Sequence, residues 1–507
     1  MSERAEPVRS EAESTFRVLE PTTSPEAPTR RDFLTRSAAV AGIPLLSACA
    51  TADGGAETLA RLPRLGREPS GRVLIKGGTI ISLDAKVGDL VKGDVLIEGK
   101  RIAAIGPSIE AADAAVIDAA NTIVIPGFVD AHRHSWMAAL RGLIPNADIG
   151  RYMGQTHRSL AQHYRPDDIY IGNLMTSLGC LEAGITCILD NSHNSRTAAH
   201  SDAAIRGLVD AGIRAVHASG MPRVDALWDK QWPKDVDRLR KQYFASDDQL
   251  VTLGMYADLN PELLAFARDR GLRIATELTA FAAKGLDDLG SRQLLGPWIT
   301  YNHCSGVPES GWRYLRDSGA QVNICARSDA QYLIAEGLSP LQKALDHGLK
   351  PGLSVDGETS YSTSMFTEMT VVYMMQRAMA ANRRFTKDDK APAPITVRDV
   401  LGYATLNGAA CAGLERKIGS LAPGKEADMI LIRTDAGNTY PLNHAVATVV
   451  TFAEIANVDT VIVGGRVRKF RGKMLDVDIP RLRRELDASR TAIFERAGYK
   501  LDMFSNV

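Results

Sequence analysis

Between residues 123 and 356 the chain repeats one pattern, a short apolar run followed by a stretch whose apolar residues recur with helical spacing. The runs fall at 123–132, 185–190, 213–220, 250–258, 273–280, 299–305, 320–328 and 350–356. Runs this short and this uniformly apolar predict strands buried on both faces. Between them, "DDIYIGNLMTSLGCLEAG", "SDAAIRGLVDAG", "NPELLAFARDRG" and "SPLQKALDHG" predict helices. Each of these closes on Gly, the residue suited to a left-handed helix stop. A further helix after the eighth run opens on the capping signal Thr396-x-x-Asp399. Eight strand–helix alternations predict an α/β fold, a (β/α)8 TIM barrel, because parallel neighbours need such crossovers. An open doubly wound sheet is the architectural alternative.

The flanks change period. "RVLIKGGTIISL", with Gly77 and Gly78 as a turn, and "GDVLIEGKRIAAIG", with a hairpin about Glu98 to Lys100, predict short strands before the barrel. "ADMILIRT" from Ala427, "TVVTFA" from Thr448 and "TVIVGGRVRKF" from Thr460 predict strands after it. The two β-rich pieces, 71–122 and 420–475, are expected to join into one small β-sandwich beside a barrel of 123–419, with 476–507 as a C-terminal helical tail.

The first fifty residues read as an export address. Arg30 and Arg31 form a twin-arginine pair ahead of a weakly apolar stretch, Ser37 to Ala48, too short to span a bilayer. "LSAC", Leu46 to Cys49, resembles a lipoprotein cleavage box that would anchor the chain by lipid at Cys49. Ala48, Cys49 and Ala50 equally fit an ordinary cleavage site. The expectation is a protein handed to the twin-arginine export machinery and placed in the periplasm or at the cell surface; without use of that segment it stays cytoplasmic. Residues 51–70 read as a linker.

Composition narrows the partners. Sixty Lys and Arg balance sixty Asp and Glu in 507 residues, so no global field favours nucleic acid. A small-molecule substrate and a homo-oligomer are expected. The six cysteines show no CxxC pairing, which argues against thiolate zinc sites and a disulfide framework.

The chemistry gathers at the strand ends. In "VIPGFVDAHRH" the first run ends on His132 and His134, two residues apart and therefore on one side of the strand, facing the barrel mouth. Barrel enzymes keep their reactive groups at these C-terminal strand ends, and two neighbouring imidazoles are half of a first-row metal site. His303 closes the sixth run in "ITYNHCSG", and Asp356 closes the eighth in "KPGLSVDGE". A carboxylate at the end of a buried run is costly unless it meets a cation. His193 in "LDNSHNS" and Trp136, with Met137 and Arg141 in the loop after the first strand, are candidates for the substrate pocket, and that loop is long enough for a lid. His217 reads as structural.

"IVIPGFVDAHRH", "EAGITCILD", "ITYNHC", "GLSVDG" and "IGSLAPGKEADMILI", in this order over residues 72 to 470, resemble the amidohydrolase superfamily, in its branch of cytosine deaminases, triazine chlorohydrolases and related metal-dependent hydrolases. The resemblance implies that His132 and His134 ligate the metal. It implies that Asp356 binds or faces the metal and takes a proton from its water, and that His303 polarises the substrate or helps protonate the leaving group. It also implies the β-sandwich built from both chain ends. One strand departs from the pattern: where the family's fifth strand ends in a histidine, frequently written HxxE, this chain has "RIATELTAF", with Glu277 at the histidine's place and Ala280 at the glutamate's. Glu277 as a ligand would surround a divalent ion with two imidazoles and two carboxylates, a neutral set that acidifies bound water less. The alternatives are an acid beside the metal or no role.

The expected activity is hydrolysis of a non-peptide carbon–nitrogen bond, such as deamination or amide hydrolysis of a small cyclic or heteroaromatic substrate, by a metal-activated water. Zinc is the first choice of ion, with iron and manganese as alternatives. The competing expectation is an exported, non-catalytic barrel that lost its metal and binds a ligand or partner.

Overall fold

The structure, a computed structural model, describes residues 58–64, 71–222, 232–335 and 337–504. The twin-arginine segment, Cys49 and most of the linker lie outside these.

Among the described residues five strands precede the barrel: Arg72–Ile81 (β1), Asp89–Glu98 (β2), Arg101–Gly106 (β3), Ala115–Asp118 (β4) and Thr122–Pro126 (β5). The barrel strands follow as Phe128–Arg133 (β6), Ile185–Ser192 (β7), Arg214–Gly220 (β8), Val251–Tyr256 (β9), Ile274–Thr279 (β10), Ile299–Ser305 (β11), Gln321–Ile324 (β12) and Gly352–Leu353 (β13). Met429–Arg433 (β14), Val458–Val463 (β15), Arg466–Phe470 (β16) and Lys473–Met474 (β17) complete the set. β1–β5 and β14–β17 form one nine-stranded mixed sheet, joined where β5 runs antiparallel to β14. It folds over a core that includes Val73, Ile75, Val95, Val124, Leu431 and Ile462, apolar residues from both chain ends, as a β-sandwich.

β6 to β13 pair in sequence order, all parallel. The circle closes through a parallel bridge between Arg133 and Asp356: His134 N–H donates to Asp356 O and Asp356 N–H to His132 O, both at 3.0 Å. This is the (β/α)8 barrel that the eight alternations predict, and the closure excludes the open sheet. The helix Ala198–Ala211 stops on Gly212, at φ 65°, and the chain re-enters the barrel as β8.

Three segments depart from their sequence reading. Thr448–Phe452 winds as a helical turn instead of a strand, after a short helix capped by the His444 side chain, and buries Val449 and Val450 in the core. A run this short carries too little period to tell strand from helix. The seventh run splits into β12 and a helix, Ala326–Gln331, and the loop after the first strand is largely helical, from Ser135–Leu140 to Ala161–His163. The five described cysteines are all free and buried.

Arg214, at the start of β8, ties the barrel to the sandwich. Its guanidinium donates to both Asp428 oxygens at 2.8 Å and to Glu426 at 2.6 Å, with all three residues buried. Arg214→Met leaves two buried carboxylates without their cation, and is expected to cost about 3–5 kcal/mol in a denaturant titration.

Candidate metal centre

Strand alternation sends His132 and His134 into the barrel mouth and Arg133 behind them. His132 Nε2 and His134 Nε2 each lie 3.1 Å from Asp356 Oδ1. Glu277 comes from the opposite side, its Oε1 3.4 Å from His132 Nε2 and 3.9 Å from His134 Nε2. His303 Nε2 lies 3.2 Å from Glu277 Oε2 and 3.9 Å from Asp356 Oδ2. All but Glu277 are buried, and Glu277 exposes only a tenth of its side chain.

Each imidazole is oriented by what its other nitrogen meets. Asn191, on β7, places its amide against His132 Nδ1. Nδ2 of that amide is the atom facing the ring nitrogen, and the contact fixes the plane of the imidazole. His134 Nδ1 meets His193 Nε2 at 2.8 Å. His303 Nδ1–H donates to Asp329 Oδ1 at 2.9 Å.

The donor set fits a divalent transition metal. His132 Nε2 and Asp356 Oδ1 are buried without a hydrogen-bond partner although they face each other, as lone pairs do around a shared cation. His132, His134 and Glu277 offer ligand atoms within 4.8 Å of one another. Two carboxylates this close together, Asp356 buried and Glu277 nearly so, need positive charge. Burial opposes ionisation of Asp356, yet His132 and His134 hold its carboxyl well below the usual carboxylate range. Burial likewise disfavours the His303 imidazolium, but Cys325, Asp329 and Glu277 push its pKa well above the ordinary value.

Backbone strain marks the same residues. His303, Cys304 and Asp356 adopt φ of 64°, 60° and 71°, a left-handed region that costs a residue with a Cβ about 1–2 kcal/mol. At Cys304 the pairing of β10 with β11 skips a residue, a bulge that re-aims His303 toward Glu277.

A cavity of about 80 Å³ opens above the donor atoms, lined among others by Tyr152, His157, His193, Tyr256 and Tyr332. A cleft of about 750 Å³ adjoins it, sharing Met153, Tyr256, Glu277 and Thr279 and adding Trp232, Leu259, Leu263 and Phe281. His193 is among the residues that line the smaller cavity. Trp136 is not: it is 2% exposed and packs edge-on against Tyr164 and His193, behind the cavity wall. Arg141 turns away to pair with Glu358. His217 is structural, buried against Asp190 at 3.1 Å.

Sequence reasoning overlooked several groups. Ser328 Oγ–H donates to Asp356 Oδ2 at 2.5 Å, Asp329 orients His303, and Cys325 joins His132 and His303 in a second group of close donor atoms. All three follow β12, whose strand end offered the same positional signal as the other seven.

The chain is similar to several known proteins. The model of the amidohydrolase family matches residues 278–468. A 5-methylthioadenosine/S-adenosylhomocysteine deaminase of Moorella thermoacetica is 26% identical over 80% of this chain and 96% of its own length. A 5'-deoxyadenosine deaminase of Methanosarcina mazei is 26% identical over 80% and 94%. Among solved structures, atrazine chlorohydrolase from Arthrobacter aurescens TC1, a variant complexed with zinc and atraton, superposes with a TM-score of 0.73 at 21% identity, covering 82% of this chain and all of its own. An adenosine deaminase from Xanthomonas campestris with bound zinc gives 0.70 at 20% identity, over 84% and 99%. By this family match and by its likeness to the two deaminases, the chain is similar to the amidohydrolase superfamily.

Proposed function

We propose that the chain is a zinc-dependent hydrolase that removes an amino group, or a comparable leaving group, from a nitrogen heterocycle. The observation that carries this is the approach of His132 Nε2 and His134 Nε2 to one oxygen of Asp356, each at 3.1 Å, with Glu277 closing the other side. His132, His134, Asp356 and Glu277 would hold the ion, which supplies Lewis acidity, making water a stronger acid and polarising the electrophilic carbon. Zinc is favoured by the mixed imidazole and carboxylate donors and by the zinc in the structural relatives.

Asp356 takes the proton of the attacking water, and Ser328 holds its second oxygen in place for that transfer. His303, fixed by Asp329, presents Nε2 to the site and donates a proton to the departing nitrogen. Glu277 stands where the related enzymes' histidine would be, and Tyr256 Oη–H donates to its Oε1 at 3.0 Å, which holds the carboxylate toward the histidines. The flat heterocycle is seated between the aromatic walls of the small cavity, and its substituent extends into the larger, mainly apolar cleft.

Two measurements test this. Elemental analysis of protein purified without added metal is expected to give about one transition metal per chain. The metal-loaded protein is then assayed for ammonia or amine release from 5'-deoxyadenosine, S-adenosylhomocysteine, adenosine and amino-triazines. A chain with no metal and no turnover after zinc addition is the non-catalytic binder instead. Glu277→Gln, which keeps the shape but not the charge, is expected to weaken zinc binding in a chelator competition; unchanged affinity removes Glu277 from the ligand set.

Export belongs to the same proposal, resting on the sequence of Arg30 and Arg31. Arg30→Lys with Arg31→Lys is expected to retain the protein in the cytoplasm on cell fractionation.

A further inference from the structure

Arg133 sits between the two candidate ligands His132 and His134, yet faces the other way. Its side chain is fully buried, as is nearly all of Glu358, and one guanidinium nitrogen donates both to Glu358 and, at 2.6 Å, to Thr363 Oγ1. Asp130, on the same strand, lies 3.5 Å from its other terminal nitrogen. The second Glu358 oxygen accepts from Arg141 Nε and, at 3.4 Å, from Thr176 Oγ1. Glu358 is two residues beyond Asp356, so the cluster joins the end of β6, which carries two candidate ligands, to the segment that carries a third.

That junction is the seam where the barrel closes. β13 is only two residues long, and at the ligands themselves the seam consists of two backbone hydrogen bonds. With so short a ladder, the relative positions of His132, His134 and Asp356 depend also on side-chain contacts across the seam, such as the bond from Val355 N–H to Asp130 Oδ1 at 3.0 Å. A buried ion pair is a poor device for stability alone, since apolar side chains of the same volume commonly do as well, but its fixed geometry suits it to setting register.

We infer that Arg133 is a positioning residue: through Glu358, Arg141 and Thr363 it locks the closing seam so that His132, His134 and Asp356 meet at metal-binding distance. This rests on the metal reading above. It assigns a role to the residue inside the His-x-His pair, and makes Glu358 its partner in setting metal affinity.

The test uses the full chain, purified and stripped of metal, with zinc affinity from competition against a chromophoric chelator and ligand geometry from the visible spectrum of the cobalt(II)-substituted protein. Arg133→Met/Glu358→Met removes both charges, so neither is left buried alone. It is expected to unfold near the wild-type temperature without metal, to bind zinc about 10- to 100-fold more weakly, and to show displaced or broadened cobalt bands. Arg133→Lys, which keeps the charge but replaces the planar guanidinium that spans Glu358, Thr363 and Asp130 with a single ammonium, is expected to fall between. Wild-type affinity and spectrum in the double variant overturn the inference. Should the double variant not fold, Arg133→Lys decides on the same readouts, and a wild-type value there overturns it. A wild-type chain that binds neither zinc nor cobalt refutes the metal reading itself, a separate outcome.

Discussion

His132→Ala is expected to purify without metal and to lose turnover by at least about 10³-fold. His132 is the hub of the site: its Nε2 lies within 3.4 Å of both Asp356 and Glu277, and its ring has no exposed surface. No solvent can replace the missing nitrogen without first entering the core, and no neighbouring side chain can swing in, because His134 and His303 are each held at their other nitrogen. The fold should survive, since the backbone carbonyl of residue 132 still accepts from Asp356 N–H at the seam. Metal analysis and turnover of the same preparation check this together. Retention of a full equivalent of metal with near wild-type activity would contradict the whole arrangement.

Asp356→Asn separates chemistry from folding. Asparagine tolerates the left-handed backbone of residue 356 as well as aspartate does, and it keeps both the seam hydrogen bonds and an oxygen to place beside the imidazoles. It cannot take a proton. Turnover should therefore fall by about 10²–10⁴-fold, the usual contribution of a positioned base, with KM and the unfolding temperature little changed. A variant that keeps more than a tenth of wild-type kcat would require another base.

Much of this site was legible before any coordinates. His132 and His134 share a side by strand alternation alone, and the ends of the first, sixth and eighth runs mark where barrel chemistry gathers. The groups toward the end of the seventh run are harder to see, because Cys325, Ser328 and Asp329 lie where strand gives way to helix and no single period holds. Trp136 was misplaced because a large aromatic near a site looks alike in sequence whether it lines the cavity or backs the wall. The helical turn at Thr448–Phe452 shows the same blindness in the fold, where β-branched composition was overruled by packing.

The sequence by itself determined the strand–helix alternation of the barrel, the parallel sheet it implies, the β-rich flanks, and the residue types at the strand ends. These follow from local periodicity and covalent spacing, which the chain carries everywhere along its length. Only the tertiary structure decided that Glu277 approaches the histidines of another strand, that Asp329 and Asn191 turn two imidazoles inward, and that Arg133 meets Glu358 behind the seam. Those contacts join residues from 26 to 225 positions apart, and their distances are set by how the barrel closes, a property of the packed whole that no local pattern encodes.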